Sequence, residues 1–328
     1  MRSRVIMVLA VLAVLLGVGL LVPTAYAKLA GDDGAGGIGG GAAEKVPTPA
    51  PTEPPAPTLA AAPVSVNFKG QFFGWALLDR KTGEITGSKN MASTNSTESM
   101  LKAWIVSDYL RQLGDKAPSA ELKKAASLAI RDSDDDAANK VYRAAGGSYR
   151  VPAGGQAGPV VQRAIKICGL TDTERGNVAG YEGWWSFTRM SPQDAVRLGD
   201  CIADGKAAGP VWTTWVLDEM AKVRGSVSQQ QARSGGGKWG IVDGLPAEIK
   251  AQGPVSVKNG WTQLSYDGNW HVNCLAVTDK WSLAVMLRYP AGQPLSYGAK
   301  VCASVTTQLV TPQPGAALKV PQQPVGKL

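Results

Sequence analysis

The chain has 328 residues, 44% of them hydrophobic, and a net charge of +8. It is long enough for one large domain or two, with a sizeable core. The positive charge is spread rather than clustered, and nothing resembles a nucleic-acid-binding module, so the charge reads as solubility or as attraction to an anionic cell envelope.

Arg2 and Arg4 precede an apolar run over residues 5–22, and Ala25-Tyr26-Ala27 offers a small-residue cleavage pattern. Residues 1–27 are therefore expected to be an export signal or, uncleaved, a membrane anchor. Either places the remainder outside the cytoplasm, secreted or associated with the cell envelope. Residues 28–64 are rich in Gly, Ala, Pro and Thr, and include Pro47-Thr48-Pro49 and Pro54-Pro55-Ala56-Pro57. Such a stretch cannot repay its ordering entropy and is expected to be a disordered spacer. Residues 313–328 read the same way, leaving 65–312 as the folded domain.

That domain holds Cys168, Cys201, Cys274 and Cys302. An even number in an exported chain favours two disulfides. Of the three possible pairings, Cys168 with Cys201 and Cys274 with Cys302 are expected, because each would tie neighbouring elements. A zinc site is disfavoured: there is no C-x-x-C spacing and His271 is the only histidine.

Gln71 to Leu78, a turn at Asp79-Arg80-Lys81-Thr82-Gly83 and a strand from Glu84 read as a hairpin. Ser96-Thr97-Glu98 then precedes Met100-Leu101, Trp104-Ile105 and Tyr109-Leu110, whose spacing predicts one face of a helix starting near Ser99. Further helices are predicted over residues 120–131, 136–145, 158–168, 191–203 and 212–223. The last third switches to strands at 255–258, 270–277 and 281–287, followed by a helix over 297–309. Strands, a helical block, strands and a terminal helix predict an antiparallel sheet covered by helices, with a site between lobe and sheet.

Three short motifs carry chemistry. In Ser99-Met100-Leu101-Lys102 the serine and lysine lie about one helical turn apart, so the amine can reach the hydroxyl. Serine needs a neighbouring base, and lysine can be one only where burial or nearby positive charge keeps part of it neutral. Ser133-Asp134-Asp135 and Lys258-Asn259-Gly260 follow. Each has a plainer reading: Ser99 or the run at 133–136 as helix caps, and Lys258 as a charge guarding a strand edge. A Ser-His-Asp triad would have to be built around His271, which sits in no motif.

The three motifs, in this order, resemble the S-x-x-K, S-D-N and K-T-G set of the serine β-lactamase and penicillin-binding protein superfamily, closest to exported class A β-lactamase-related serine hydrolases. The resemblance covers roughly residues 72–309. It implies an α+β sandwich of the β-lactamase/transpeptidase type: a five-stranded antiparallel sheet flanked by helices, with an all-α lobe reduced by the short spacing from Ser99 to Ser133. It implies Ser99 as nucleophile, Lys102 as general base, Ser133 as proton relay and Lys258 as the cation for a substrate carboxylate, with backbone N–H groups of Ser99 and Trp261 as oxyanion donors. Asp135, Asn259, Gly260 and Trp261 would contact a small-molecule or peptide-like substrate, a β-lactam or a peptidoglycan stem peptide. No metal or organic cofactor is implied, and a monomer is expected.

The departures matter as much. Asp135 stands for an asparagine and Asn259 for a hydroxyl residue, and Trp261 adds bulk expected at the cleft mouth. No E-x-x-L-N pattern lies between Cys168 and Ser191. Glu174, or else Glu182, is the candidate to activate a deacylating water. Without such a carboxylate, a β-lactam adduct would turn over slowly. The alternative is a catalytically weak or inactive module that binds peptidoglycan or peptide through Trp184, Trp185 and Trp261.

Overall fold

The structure is a computed structural model and describes residues 56–150, 157–231 and 236–311. The expected signal or anchor, the tail and most of the spacer lie outside them. Among the described residues no helix is long and apolar enough to cross a membrane.

β1 (Thr58–Leu59) pairs with the last strand at Val310–Thr311. Leu59 is buried, and Ala62, Val64, Val66 and Phe68 pack on the core. The fold therefore begins before residue 65, because these apolar side chains repay the ordering of a segment whose composition otherwise reads as spacer.

β2 (Phe72–Asp79) and β3 (Ile85–Gly87) form the expected hairpin. β4 (Asn95–Ser96) leads into a 3-10 turn at Glu98–Leu101, continued by α1 (Lys102–Leu113). α1 is buried along Lys102 to Leu110, with α2 (Ala120–Arg131), α3 (Asp135–Ala144) and α4 (Pro159–Cys168) packed around it. β5 (Arg189–Met190) pairs with β4. α5 (Pro192–Ala203) is capped by Ser191, which accepts from the Asp194 N–H, and has Pro192 in its first turn. It lies across the sheet, where Gly199 lets it approach: a Cβ there would fall 2.4 Å from Ser282 Oγ. α6 (Thr213–Ala221) packs on α1, α2 and α5, and three short helices follow: α7 (Val227–Gln231), α8 (Ile241–Gly244) and α9 (Ala247–Lys250).

β6 (Ser256–Val257) and β7 (Gly260–Leu264) pair with one edge of β8 (Asn269–Val277) in a single register, Val257 opposite Ala276 and Gly260 opposite Asn273. β9 (Trp281–Pro290) joins β8 to β2, and α10 (Leu295–Leu309) leads to β10 (Val310–Thr311). The sheet runs β3, β2, β9, β8 and then β6 with β7, antiparallel throughout. It thus has the five positions expected, the fifth interrupted at Lys258 and Asn259. β7 itself was not anticipated from sequence, because Trp261-Thr262-Gln263 alternates too briefly beside the motif.

The central strands are buried on both faces, which is why most of their residues on either face are apolar. On β9, Leu283, Val285 and Leu287 join the core under α10, while Ala284 and Met286 join the core of the helical lobe. On β8, Val272, Cys274 and Ala276 take the first face, and Leu275 and Val277 the second.

Both disulfides pair as expected: Cys168–Cys201 ties α4 to α5, and Cys274–Cys302 ties β8 to α10. Replacing either pair with alanine should cost about 3 kcal/mol by loss of the crosslink. The second pair should cost more, since Cys274 and Cys302 are both fully buried and their loss also leaves a cavity. Denaturant unfolding of the two double variants checks the order.

Candidate active site

Ser99 lies in the 3-10 turn that opens α1, partly exposed, and Lys102 follows three residues later. In a 3-10 turn residues three apart stack above one another. Lys102 is 0% exposed. Its Nζ donates to the Ser133 carbonyl oxygen at 2.5 Å, to Asp135 Oδ1 at 2.5 Å and, at 3.4 Å, to Ser133 Oγ. The Trp185 ring lies over the same amine, its centroid 5.4 Å away.

The acidic run before α3 divides its work. Asp134 is the cap, accepting from the Ala137 N–H at 2.7 Å. That leaves Ser133 free to face the lysines, and Asp135, its side chain 75% exposed, to pair with Lys102. Ser133 holds a left-handed backbone, φ 55°, and so does Glu98, φ 48°. They are the two non-glycine residues with positive φ among the described residues, and both flank this cluster. Each such conformation costs about 1–3 kcal/mol and persists only where its surroundings impose it.

Lys258 comes from the interrupted edge strand. It is fully buried, not the solvated edge charge of the plainer reading, and its Nζ donates to Ser133 Oγ at 2.8 Å and to the Asn259 carbonyl oxygen at 3.0 Å. Ser133 Oγ therefore stands between two amines. Burial pulls both lysines below the ordinary ammonium value. For Lys102 the Asp135 carboxylate opposes that fall; for Lys258, pulled well below, the charge of Lys102 adds to it. Lys258 is thus the amine that more readily gives up its proton.

Strand alternation explains what else the edge presents. Lys258, Gly260 and Thr262 share one face. Gly260 must lack a side chain, since a Cβ would lie 2.5 Å from the Met100 nitrogen and 2.8 Å from the Ser99 nitrogen. The Lys258 N–H donates to the Leu275 carbonyl, so by the two-residue alternation of an antiparallel pair the Trp261 N–H points away from β8, toward the open edge. The Trp261 side chain leaves from the opposite face and packs edge-on against Trp239, centroids 5.5 Å apart, while its ring still lies 6.0 Å from the Lys258 amine. Asn259 shares that face and is fully buried, its amide donating to the carbonyls of Gly237 and Trp239 at 2.8 and 2.9 Å. Its N–H groups hold segment 237–239 in place, while its Oδ1 is buried without a hydrogen-bond partner.

Glu174 does not join the cluster. It is bridged through its backbone to Arg189 and ion-paired with it at 3.1 Å, its side chain 56% exposed. Glu182 is half-buried, and no ion pair or hydrogen bond among the described residues joins its side chain to the lysines. The residue of this loop that reaches Lys102 is Trp185, pinned by its Nε1–H donating to Asn139 Oδ1 at 3.0 Å. Nor do the three tryptophans of the binding alternative form one surface, because Trp185 is buried while Trp184 is exposed against Tyr149 and Tyr181.

Sequence reasoning missed a polar chain behind Ser99. Glu98, 2% exposed, is bonded to Ser96 Oγ at 2.7 Å; Ser96 Oγ lies 2.5 Å from His271 Nδ1; and His271 Nε2 lies 2.8 Å from Asp267 Oδ2. Ser96, His271 and Asp267 follow the order of a catalytic triad, but Ser96 is buried and engaged with Glu98. Beside them, Asn273 Nδ2 donates to the carbonyls of Ser96 and Thr97, anchoring the segment that enters the turn. The available signal was the polar alternation of His271 and Asn273 within an apolar strand.

No protein-family model matches the sequence, and no curated protein matches it. The fold is that of the β-lactamase/transpeptidase class. Among solved structures, the TLA-1 extended-spectrum β-lactamase is similar with a TM-score of 0.55 and 12% identity, over 74% of this chain and 92% of that one. PBP-A is similar at 0.51 and 13% identity, over 73% and 89%. A β-lactamase from Xanthomonas campestris is similar at 0.51 and 13% identity, over 72% and 90%.

Burial raises the Glu98 carboxyl from the ordinary 4.5 to about 7. The folded protein then binds the proton more tightly than the unfolded chain. This contribution is complete below the ordinary carboxyl value and is lost as pH rises to about 7, by up to about 3 kcal/mol. Denaturant midpoints of a Glu98→Gln variant should lack that decline.

Proposed function

We propose that the protein is an exported serine hydrolase that forms an acyl-enzyme on Ser99, acting on β-lactams or cell-wall peptide-like amides and esters. The observation that supports this best is the continuous hydrogen-bonded path Lys102, Ser133, Lys258, with both lysines buried, beside the turn that carries Ser99.

Lys102 in its resting contacts is an ammonium donating to acceptors, and it must lose a proton before it can act as base. Ser133 offers the route: Lys258, the amine that holds its proton less tightly, rests neutral, and a substrate carboxylate arriving beside it raises its proton affinity, so that Lys102 passes a proton through the Ser133 hydroxyl to Lys258. Neutral Lys102 then takes the Ser99 proton while Ser99 Oγ bonds to the substrate carbonyl carbon and the C=O electron pair moves to oxygen. The Ser99 and Trp261 N–H groups stabilise that oxyanion, an effect of about 3 to 4 kcal/mol per donor. Collapse breaks the bond to the leaving amine or alcohol, which takes its proton from Ser133, and Lys258 replaces it. The product is an ester on Ser99.

With Glu174 tied to Arg189 and Trp185 over Lys102, no loop carboxylate activates water in that role. β-Lactam adducts should therefore be long-lived, and peptidase, esterase or transferase chemistry describes the site better than β-lactam turnover. Intact mass after exposure to a fluorescent penicillin should show one adduct, mapping to Ser99 and persisting for many minutes. A label at another residue, or an equal label in Ser99→Ala, overturns the reading.

Asp135 tunes the base. Its carboxylate opposes the loss of the Lys102 proton, so Asp135→Asn should lower the pH at which acylation begins and raise the rate at neutrality several-fold. A pH profile of labelling checks this. The same ion pair favours a second reading, a weakly catalytic module that binds cell wall; retention of wall binding by Ser99→Ala, with no adduct in the wild type, would select it.

A further inference from the structure

The chain Glu98, Ser96, His271, Asp267 is used by no step above, yet it touches both sides of the proposed oxyanion site. Glu98 immediately precedes Ser99 in the chain, and its buried carboxyl is linked through Ser96 to His271 on β8, the strand that pairs with β7. One buried carboxyl thus connects the turn supplying one N–H donor to the strand beside the one supplying the other.

The protonation state follows from counting hydrogens. Ser96 Oγ has two neighbours, Glu98 Oε1 and His271 Nδ1, and its hydroxyl has one proton to give. Burial pulls His271 below the ordinary imidazole value and so favours the neutral ring. Against its own burial, Asp267 is held below the ordinary carboxyl range by the bond from His271, so the ring proton sits on Nε2 and is donated to Asp267. Nδ1 is then an acceptor and takes the Ser96 proton. Ser96 Oγ must in turn accept, and its remaining neighbour is Glu98, which has a proton to donate only as the uncharged acid.

The groups facing Glu98 fit that state. Asp135 on the helical side and Asp267 in the β7–β8 turn both disfavour a second negative charge there, while Lys102 is the nearby cation. Tyr266 and the neutral His271 complete the surroundings on the β7–β8 hairpin.

Resting on the acyl-enzyme reading, we propose that Glu98 is a positioning residue which in its uncharged form ties the Ser99 turn, through Ser96 and His271, to β8, and that its ionisation switches acylation off. Two effects of the charge act in the same direction. A carboxylate beside the forming oxyanion repels it. The same carboxylate raises the affinity of Lys102 for its proton, making a poorer base. Ionisation also removes the proton that Ser96 accepts, breaking the chain that holds segment 96–99.

The test is the second-order rate of labelling by a fluorescent penicillin, measured from about pH 5 to about pH 9, for wild type, Glu98→Gln and Ser96→Ala. The glutamine keeps an uncharged donor in place. The ratio of wild-type to Glu98→Gln rates should fall at least about tenfold as pH rises through neutrality. In Ser96→Ala the fall should move to lower pH, because the uncharged acid then loses the oxygen that accepts its proton; this variant keeps the test decisive should the glutamine variant not fold. A ratio independent of pH, or an unshifted profile in Ser96→Ala, overturns the proposal. The carbonyl stretch of a protonated buried acid, followed by infrared difference spectroscopy, reads Glu98 without any substrate. A band present at low pH, lost near neutrality and missing from Glu98→Gln supports the proposal, and its absence overturns it. Failure of the wild type to label at any pH, with that infrared titration intact, instead locates the failure in the acyl-enzyme reading.

Discussion

Two lysine amines are buried within hydrogen-bonding range of one serine hydroxyl, and the rest of the site is arranged around the cost of that burial. An ammonium taken out of water is tolerated only if it is paired, hydrogen-bonded or able to lose its proton. Lys102 is paired, with the exposed Asp135 reaching in from the first turn of α3. Among the described residues no carboxylate is ion-paired with Lys258; its amine meets a hydroxyl, a carbonyl oxygen and the Trp261 ring. The pair is thus unequal by construction, and an unequal pair joined through a hydroxyl is what a proton-transfer path needs. The left-handed backbone of Ser133 belongs to the same arrangement, since it turns the hydroxyl toward both amines while Asp134 caps the helix.

The second constraint is the approach of an edge strand to a helix start. Gly260 permits it, and Lys258 and Thr262 on either side fill the same face with an amine and a hydroxyl. The turn is gripped from behind by Asn273 and by the chain from Glu98 to Asp267. A buried acid next to the proposed nucleophile is an unusual investment for a purely structural contact, because an apolar residue would fill the space without a desolvation cost.

The loop between α4 and β5 shows how the same fold can be steered toward a different outcome. Asp194 and Asp172 hold its first residues: Asp194 accepts from Thr171 and Asp172, and Asp172 accepts from Ser191 and Gln193. The loop is therefore well anchored, yet what it delivers over Lys102 is an indole ring, with its carboxylate Glu174 turned to Arg189. In the acyl-enzyme reading, this exchange separates a protein that holds its acyl group from one that hydrolyses it quickly.

The local features were legible in the sequence because they depend on neighbours along the chain. The hairpin at 72–87, the helices over 120–131 and 192–203, the buried strands at 269–277 and 281–290 and both disulfide pairings follow from periodicity, caps and spacing. The three motifs fixed which residues to look for. Tertiary structure alone decided which faces those residues present. Asn259 and Trp261 lie one residue on either side of Gly260, but strand alternation starts their side chains on the face opposite Lys258 and Thr262, with only the large Trp261 ring still reaching to 6.0 Å from the Lys258 amine, and the strand itself is too short to announce its phase. Glu174 was placed by counting along a loop, whereas its actual position is set by Arg189 on a strand distant in sequence. The Glu98 chain draws on residues 96, 98, 267 and 271, brought together only by sheet pairing; no local pattern encodes a contact whose partners are ordered by the whole fold.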